Sequence, residues 1–85
     1  VAVDDSEKFS LIETVVETAN FEDVTLTTID GLRVDFADGW GLVRASNTEP
    51  ALKLRFEADS DKSLENIKDA FRELLQKVKS DLNFE

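Results

Sequence analysis

The chain has 85 residues, with 19 acidic and 10 basic side chains, a formal charge of −9 and neither cysteine nor histidine. This length supports one small domain with a modest core, and it is short for a complete enzyme with its own substrate cleft. The acidic balance argues against a general nucleic-acid-binding role and against an anionic membrane surface as partner. The missing residue types exclude a disulfide framework and thiolate or imidazole metal ligands.

With 41% hydrophobic and 34% charged residues, the chain has the composition of one folded domain over residues 1–85. No apolar run approaches the roughly 20 residues that cross a bilayer, so we expect no membrane segment. No basic start leads into an apolar stretch, which predicts no secretory signal and a cytoplasmic location. Because the first residue is Val1, we expect the chain to be part of a longer protein.

Helical periodicity marks two segments of the chain. A helix is predicted over residues 6–19, where apolar residues recur at spacings of three and four and Asp4, Asp5, Ser6 and Glu7 offer caps. A longer helix is predicted over residues 61–79, with Lys77 and Lys79 in its last turn. The apolar stripes are Phe9, Ile12, Val15, Val16 and Ala19 in the first helix, and Leu64, Ile67, Ala70, Phe71, Leu74, Leu75 and Val78 in the second.

Between the helices the sequence predicts strands at 24–29, 32–36, 40–45 and 51–58. Asp30-Gly31 and Asp38-Gly39 are predicted to form hairpin turns, because these residue types accept positive φ. A meander with one apolar face needs that face covered by helices. We therefore predict an α+β two-layer sandwich, with an antiparallel sheet of about four strands, two amphipathic helices packed on it and a frayed tail at 81–85.

The segment Arg44-Ala45-Ser46-Asn47-Thr48-Glu49-Pro50 contains the most suggestive chemistry. An arginine offers a fork of donors to an anion, hydroxyls donate to anionic oxygens, and consecutive turn amides can form an anion-binding nest. Residues 40–56 carry three bases against one acid, whereas residues 1–23 carry seven acids against one base. The pattern predicts a site for one small anion. Ordinary turn chemistry, with Arg44 paired to Glu49 or another carboxylate, stays open as the alternative.

This loop, with its lead-in Asp38-Gly39-Trp40-Gly41, resembles the C-terminal phosphate-binding loop of the α-D-phosphohexomutases. The run from Asp30 to Ala58 is similar to the bacterial phosphomannomutase/phosphoglucomutase branch. Asn47 separates it from the phosphoglucosamine mutases, which typically carry glycine there. The resemblance implies that this chain is the fourth domain of an isomerase that interconverts 1-phospho and 6-phospho hexoses through a bisphosphate intermediate.

The resemblance also implies roles and partners. Arg44, Ser46, Asn47 and Thr48 would grip the phosphate that is not transferred, while the domain moves to close the cleft. The expected partners are hexose phosphates (glucose or mannose 1- and 6-phosphate and the bisphosphate) and the other three domains of the same chain. Mg²⁺ is implied for the full enzyme but at another domain. This segment alone is expected to be monomeric and inactive, without metal or catalytic residues.

Three further expectations concern the rest of the chain. A non-catalytic protein-interaction module with an acidic helical face is the alternative function, because the acids cluster near the first helix. Trp40 is predicted to pack on its strand rather than to stack on a sugar. Arg33, Lys53 and Arg55 are predicted to lie solvated on the polar face of the sheet.

Overall fold

A computed structural model describes residues 1–21, 24–28 and 31–80, and these form the predicted two-layer α+β sandwich. The elements are α1 (Lys8–Thr18), β1 (Thr25–Thr27), β2 (Leu32–Phe36), β3 (Gly39–Ala45), β4 (Leu52–Ala58) and α2 (Asp61–Val78). The four strands are antiparallel neighbours in chain order, and both helices contact β3. The predictions for Ile29, Asp30 and the tail at 81–85 lie outside the described residues.

The core lies between the helices and the inner face of the sheet. Alternation along β2, β3 and β4 turns one set of side chains toward the helices and the other toward solvent. Each large apolar side chain buried there contributes about 1.5–3 kcal/mol relative to leaving it exposed. The side chains with no exposed surface are Val15, Leu32, Val34, Val43, Phe71 and Leu75.

Gly41 sets how closely α2 approaches the sheet. A Cβ added at Gly41 would lie 2.4 Å from the Cε1 atom of Phe71. The Phe71 ring therefore occupies the space that a side chain on β3 would need. The same ring contacts Phe56 edge-on at 5.3 Å and Phe21 at 6.3 Å between ring centroids. This aromatic cluster joins α2 to the sheet and to the segment after α1.

The second hairpin turn differs from its prediction. The turn consists of Ala37 and Asp38, and Gly39 is already the first residue of β3, paired with Phe36 and Ala58. Gly39 has no positive φ; a Cβ there would instead lie 2.2 Å from the carbonyl oxygen of Glu57. Close approach of β4 therefore explains the glycine. Gly31, at the other Asp-Gly pair, does have a positive φ of 133°.

Helix α1 begins at Lys8, two residues after the predicted start. Glu7 occupies the cap position, but its carboxylate pairs with Lys79 and makes no cap hydrogen bond. Lys8 is only 4% exposed, whereas Phe9, rotated about 100° around the helix, is 57% exposed. The prediction that Phe9 belongs to the buried stripe is therefore wrong, because Lys8 takes the inward position. The other four stripe residues pack in or against the core.

Helix α2 agrees better with its prediction. The hydroxyl of Ser60 accepts a hydrogen bond from the Ser63 amide at 3.1 Å and caps the helix. The helix ends at Val78, so Lys79 lies at the C-cap rather than in the last turn. Its ion pair with Glu7 ties the end of α2 to the start of α1. None of the helices that the structure describes is long and apolar enough to span a bilayer.

The face of the sheet opposite the helices is polar; Arg55 is exposed there as predicted, whereas Arg33 is held by its neighbours. The guanidinium of Arg33 lies 4.4 Å from the centre of the Trp40 ring and also hydrogen-bonds the carboxylate of Asp35. That hydrogen bond raises the pKa of Arg33. One face of the Trp40 ring is thus covered by arginine, which agrees with packing on the strand rather than with sugar stacking.

We expect Gly41→Ala to lower the free energy of unfolding by about 1–3 kcal/mol, because the added methyl meets the Phe71 ring. Phe71→Leu is also expected to destabilise the chain, but the double variant should be more stable than the sum of the two changes predicts. Urea unfolding followed by circular dichroism measures all three. Strictly additive effects would contradict the contact between Gly41 and Phe71.

Candidate anion-binding site

Arg44 is the next-to-last residue of β3 and lies on the open face of the sheet. Its partner across the ladder is Lys53, on β4. Among the described residues Arg44 is exposed and makes no ion pair or side-chain hydrogen bond. The alternative that Glu49 neutralises Arg44 is wrong, since the Glu49 carboxylate lies 3.7 Å from the Lys53 ammonium. The arginine fork therefore stays available to an external anion.

The loop after β3 is closed by its own backbone. The Ser46 amide donates to the carbonyl of Ala51 at 2.9 Å, and the Ala51 amide donates to the carbonyl of Glu49 at 2.8 Å. The hydroxyl oxygen of Ser46 accepts from the amides of Thr48 and Glu49 at 3.3 and 3.2 Å. These bonds fold residues 46–51 into one small turn, as expected of serine in such loops.

The loop residues that were predicted to contact phosphate differ in how far they are buried. Ser46 is 3% exposed and acts as an internal acceptor, so an anion reaches its hydroxyl only if the loop rearranges. Asn47 and Thr48 are exposed at the tip of the loop. The Thr48 amide already donates to Ser46, whereas the Asn47 amide donates to no acceptor in the described part of the chain. Asn47 thus offers a free backbone donor next to Arg44.

A groove of about 300 Å³ connects the loop to α1. Arg44 and Asn47 both line it, so the fold brings together two of the four predicted contacts. Phe9, Ile12 and Glu13 of α1 form the opposite wall. A groove of this size, with an exposed ring, a carboxylate and an arginine, can hold a small polar molecule that carries one anionic group. Ser46 and Thr48 do not line the groove.

Phe9 lines this groove, although its position in the sequence predicts that it lies in the buried stripe of α1. Its spacing from Ile12 fits the buried stripe equally well, so periodicity alone points to the core. The residue that distinguishes a core-facing from a groove-facing Phe9 is its neighbour Lys8, whose charged side chain is buried. Because Lys8 occupies the inward position, helix geometry places Phe9 on the side of α1 that faces the groove.

The charges around Arg44 favour an anion. Arg44 and Lys53 lie directly opposite one another on adjacent strands, an arrangement of like charges that destabilises a sheet. Arg55 follows on the same face of β4, and its partner across the ladder is the uncharged Leu42. An anion near Arg44 and Lys53 relieves this repulsion. Three cations thus lie on the strands beside the loop, together with two carboxylates: Glu49, which pairs with Lys53, and Glu13, which lines the groove.

Metal binding is not supported in this part of the molecule. Within residues 1–21, 24–28 and 31–80, no group of three or more His, Cys, Asp or Glu residues could hold a metal ion. The described residues therefore do not fit a Mg²⁺ site, and the chemistry of the loop consists of hydrogen bonds and charge.

Comparison with known proteins decides the family. The sequence profile of the family "Phosphoglucomutase/phosphomannomutase, C-terminal domain" matches residues 1–74. The chain belongs to this family. A protein named Phosphomannomutase/phosphoglucomutase in Pseudomonas putida is 56% identical over 82 residues, which are 96% of this chain and 18% of that protein. Its counterpart in Pseudomonas syringae is 53% identical over 98% of this chain and 18% of that protein.

A solved structure supports the same relationship. A phosphoglucomutase/phosphomannomutase family protein from Burkholderia thailandensis superimposes with a TM-score of 0.83 at 45% identity, covering 89% of this chain and 17% of that chain. The chain therefore spans less than a fifth of the length of these relatives. The resemblance noted in residues 30–58 thus extends to residues 1–74 of this phosphoglucomutase/phosphomannomutase C-terminal domain chain.

We expect Ser46→Ala to lower the free energy of unfolding by about 1–3 kcal/mol, because two loop amides lose their acceptor. Thr48→Ala removes a hydroxyl of the same loop from an exposed position and should change stability by less than about 0.5 kcal/mol. Chemical denaturation of both variants provides the comparison. Equal stability of the two would show that the Ser46 hydroxyl does not hold the loop.

Proposed function

We propose that this chain is the phosphate-gripping domain of a phosphomannomutase/phosphoglucomutase, and that loop 44–50 binds the phosphate that is not transferred. The observation that carries the proposal is the exposed Arg44, without a carboxylate partner among the described residues, beside the free Asn47 amide in one groove. Membership of the C-terminal domain family supports it.

In this proposal each loop residue has a distinct task. The guanidinium of Arg44 neutralises phosphate charge and donates to two oxygens, which fixes orientation as well as position. Asn47 contributes its backbone amide, and Thr48 its exposed hydroxyl. Ser46 shapes the loop from inside and donates to phosphate only if the turn opens. Holding the remote phosphate in this way places the hexose for transfer elsewhere in the enzyme.

The reaction we propose for the whole enzyme is the interconversion of 1-phospho and 6-phospho hexoses, glucose or mannose, through a bisphosphate. The names of the Pseudomonas relatives support this substrate class. Movement of this domain closes the cleft over the sugar, while Mg²⁺ and the phosphoryl-transferring residue belong to the other domains. We propose the cytoplasm as its location. An acidic docking helix for a protein partner stays the alternative prediction.

Arg44→Gln is expected to weaken binding of inorganic phosphate and of glucose 1-phosphate by about tenfold or more, the usual value of a charge-assisted hydrogen bond. Arg55→Gln is the matched control, because it removes the same charge from the same face of the sheet and should change affinity by less than about twofold. Amide chemical shifts of the 85-residue chain, followed during titration, report both. Shifts that avoid residues 44–48 in the wild-type chain would contradict the proposal.

In the full-length enzyme we expect Arg44→Ala to raise KM for the hexose phosphate and also to lower kcat. Both change because a loosely held remote phosphate leaves the reacting group misplaced, which costs about a hundredfold in rate when positioning is lost. Steady-state kinetics with glucose 1-phosphate and mannose 1-phosphate measure the two constants. Kinetics equal to those of the wild-type enzyme would remove Arg44 from the site.

A further inference from the structure

Lys8 is a buried charged residue that is not among the proposed phosphate contacts. It is the first residue of α1 and only 4% exposed. Its ammonium lies 2.7 Å from a carboxylate oxygen of Asp5 and donates to the backbone carbonyl of Glu49 at 3.1 Å. Burying a cation costs several kcal/mol unless its partners compensate, so the position of these two partners explains where the ammonium lies.

The Glu49 peptide that Lys8 contacts is the most constrained part of the loop. Its amide donates to the Ser46 hydroxyl, and its carbonyl accepts from both the Ala51 amide and the Lys8 ammonium. The next carbonyl, that of Pro50, accepts from the amide of Val3 at 3.0 Å. The inner side of the loop is thus held by residues 3–8, while its tip stays exposed.

Stabilisation of the fold alone does not explain why this position carries a lysine. The Asp5 side chain is 72% exposed, so its ion pair with the buried Lys8 ammonium is only partly shielded from water. An apolar residue of similar length would fill the same inward position of α1 without any cost of burying charge. The ammonium also lies 5.3 Å from the centre of the Phe9 ring, but its hydrogen bond to the Glu49 carbonyl is the contact that reaches the loop. The buried charge therefore points to the loop.

We propose that Lys8 is a positioning residue for phosphate binding, an inference that rests on the proposed function of loop 44–50. Its ammonium fixes the Glu49 peptide, which through Ser46 fixes the backbone of Thr48 and the tip of the loop. The loop then has less freedom to lose when a phosphate arrives, and binding is stronger for that reason. Lys8 touches neither the phosphate nor the sugar.

Lys8→Met keeps most of the buried stem and removes the donor. In the 85-residue chain this variant should bind inorganic phosphate about three- to tenfold more weakly, the usual value of one hydrogen bond. Lys8→Arg, which keeps the charge and the donors, should restore affinity to within about threefold of the wild-type chain. Lys62→Met, at an exposed lysine of α2, is the control for loss of charge and should bind like the wild-type chain.

Amide spectra of the unliganded chains add a readout that general destabilisation does not move. Lys8→Met should shift the amide signals of Thr48, Glu49 and Ala51 and speed their hydrogen exchange, whereas Lys62→Met should leave them in place. Unchanged loop signals in Lys8→Met, or phosphate affinity equal to that of Lys62→Met, would overturn the role of Lys8.

A measurement on the wild-type chain decides the case if Lys8→Met does not fold. The ammonium signal of Lys8 should shift on phosphate addition and saturate together with the Asn47 amide, although Lys8 makes no contact with the ligand. If phosphate shifts the Asn47 signal but not the Lys8 signal, the role of Lys8 is overturned and the proposed function of loop 44–50 is not. A wild-type chain in which neither responds would overturn the proposed function, and the inference with it.

Discussion

The antiparallel pairing of β3 with β4 is the constraint on which the rest of the structure depends. Seven residue pairs join the strands, from Gly39 and Ala58 at one end to Ala45 and Leu52 at the other. Because side chains alternate along a strand, a slip of one residue would exchange the buried and exposed sets of β4. The register therefore decides which residues form the core, and it sets the short span that residues 46–51 must bridge. Arg44 projects toward solvent beside Lys53 for the same reason.

An acidic chain can still present an anion site, because electrostatic effects at its surface are local. Exposed charges separated by more than about 8 Å are largely screened at physiological salt. Of the acids of the N-terminal part, Glu13 lines the groove together with Arg44 and Asp5 pairs with Lys8, so screening weakens only the acids that lie farther from the loop. The pairing of Lys53 with Glu49, at 3.7 Å and on the surface, is weak enough for a phosphate to displace.

Sequence periodicity predicted the elements and their order. Apolar residues recur at every second position along β4 and at every third or fourth position along α2, and each spacing fits only one type of secondary structure. It failed at the start of α1, where a buried lysine took the position that an apolar residue usually occupies. The Asp38-Gly39 turn was displaced by one residue, since Gly39 is required by contact with the neighbouring strand, which a local turn signal cannot contain. At the loop, the exposure of Arg44 and Asn47 agreed with expectation. The inward direction of the Ser46 hydroxyl depends on backbone closure and was not predictable from residue type.

The two edges of the sheet also bear on how copies of this chain meet one another. An open edge strand can pair with the edge of another molecule and so begin aggregation. At one edge, β1 is only three residues long and all its side chains are exposed. At the other, residues 1–3 pair with the start of β4 through Ala2 and Ala51. The rest of β4 alternates Lys53, Arg55 and Glu57 along its exposed face. The charged side chains of β4 thus discourage edge-to-edge pairing, and Lys53, which lies opposite Arg44, belongs both to this protection and to the surroundings of the loop.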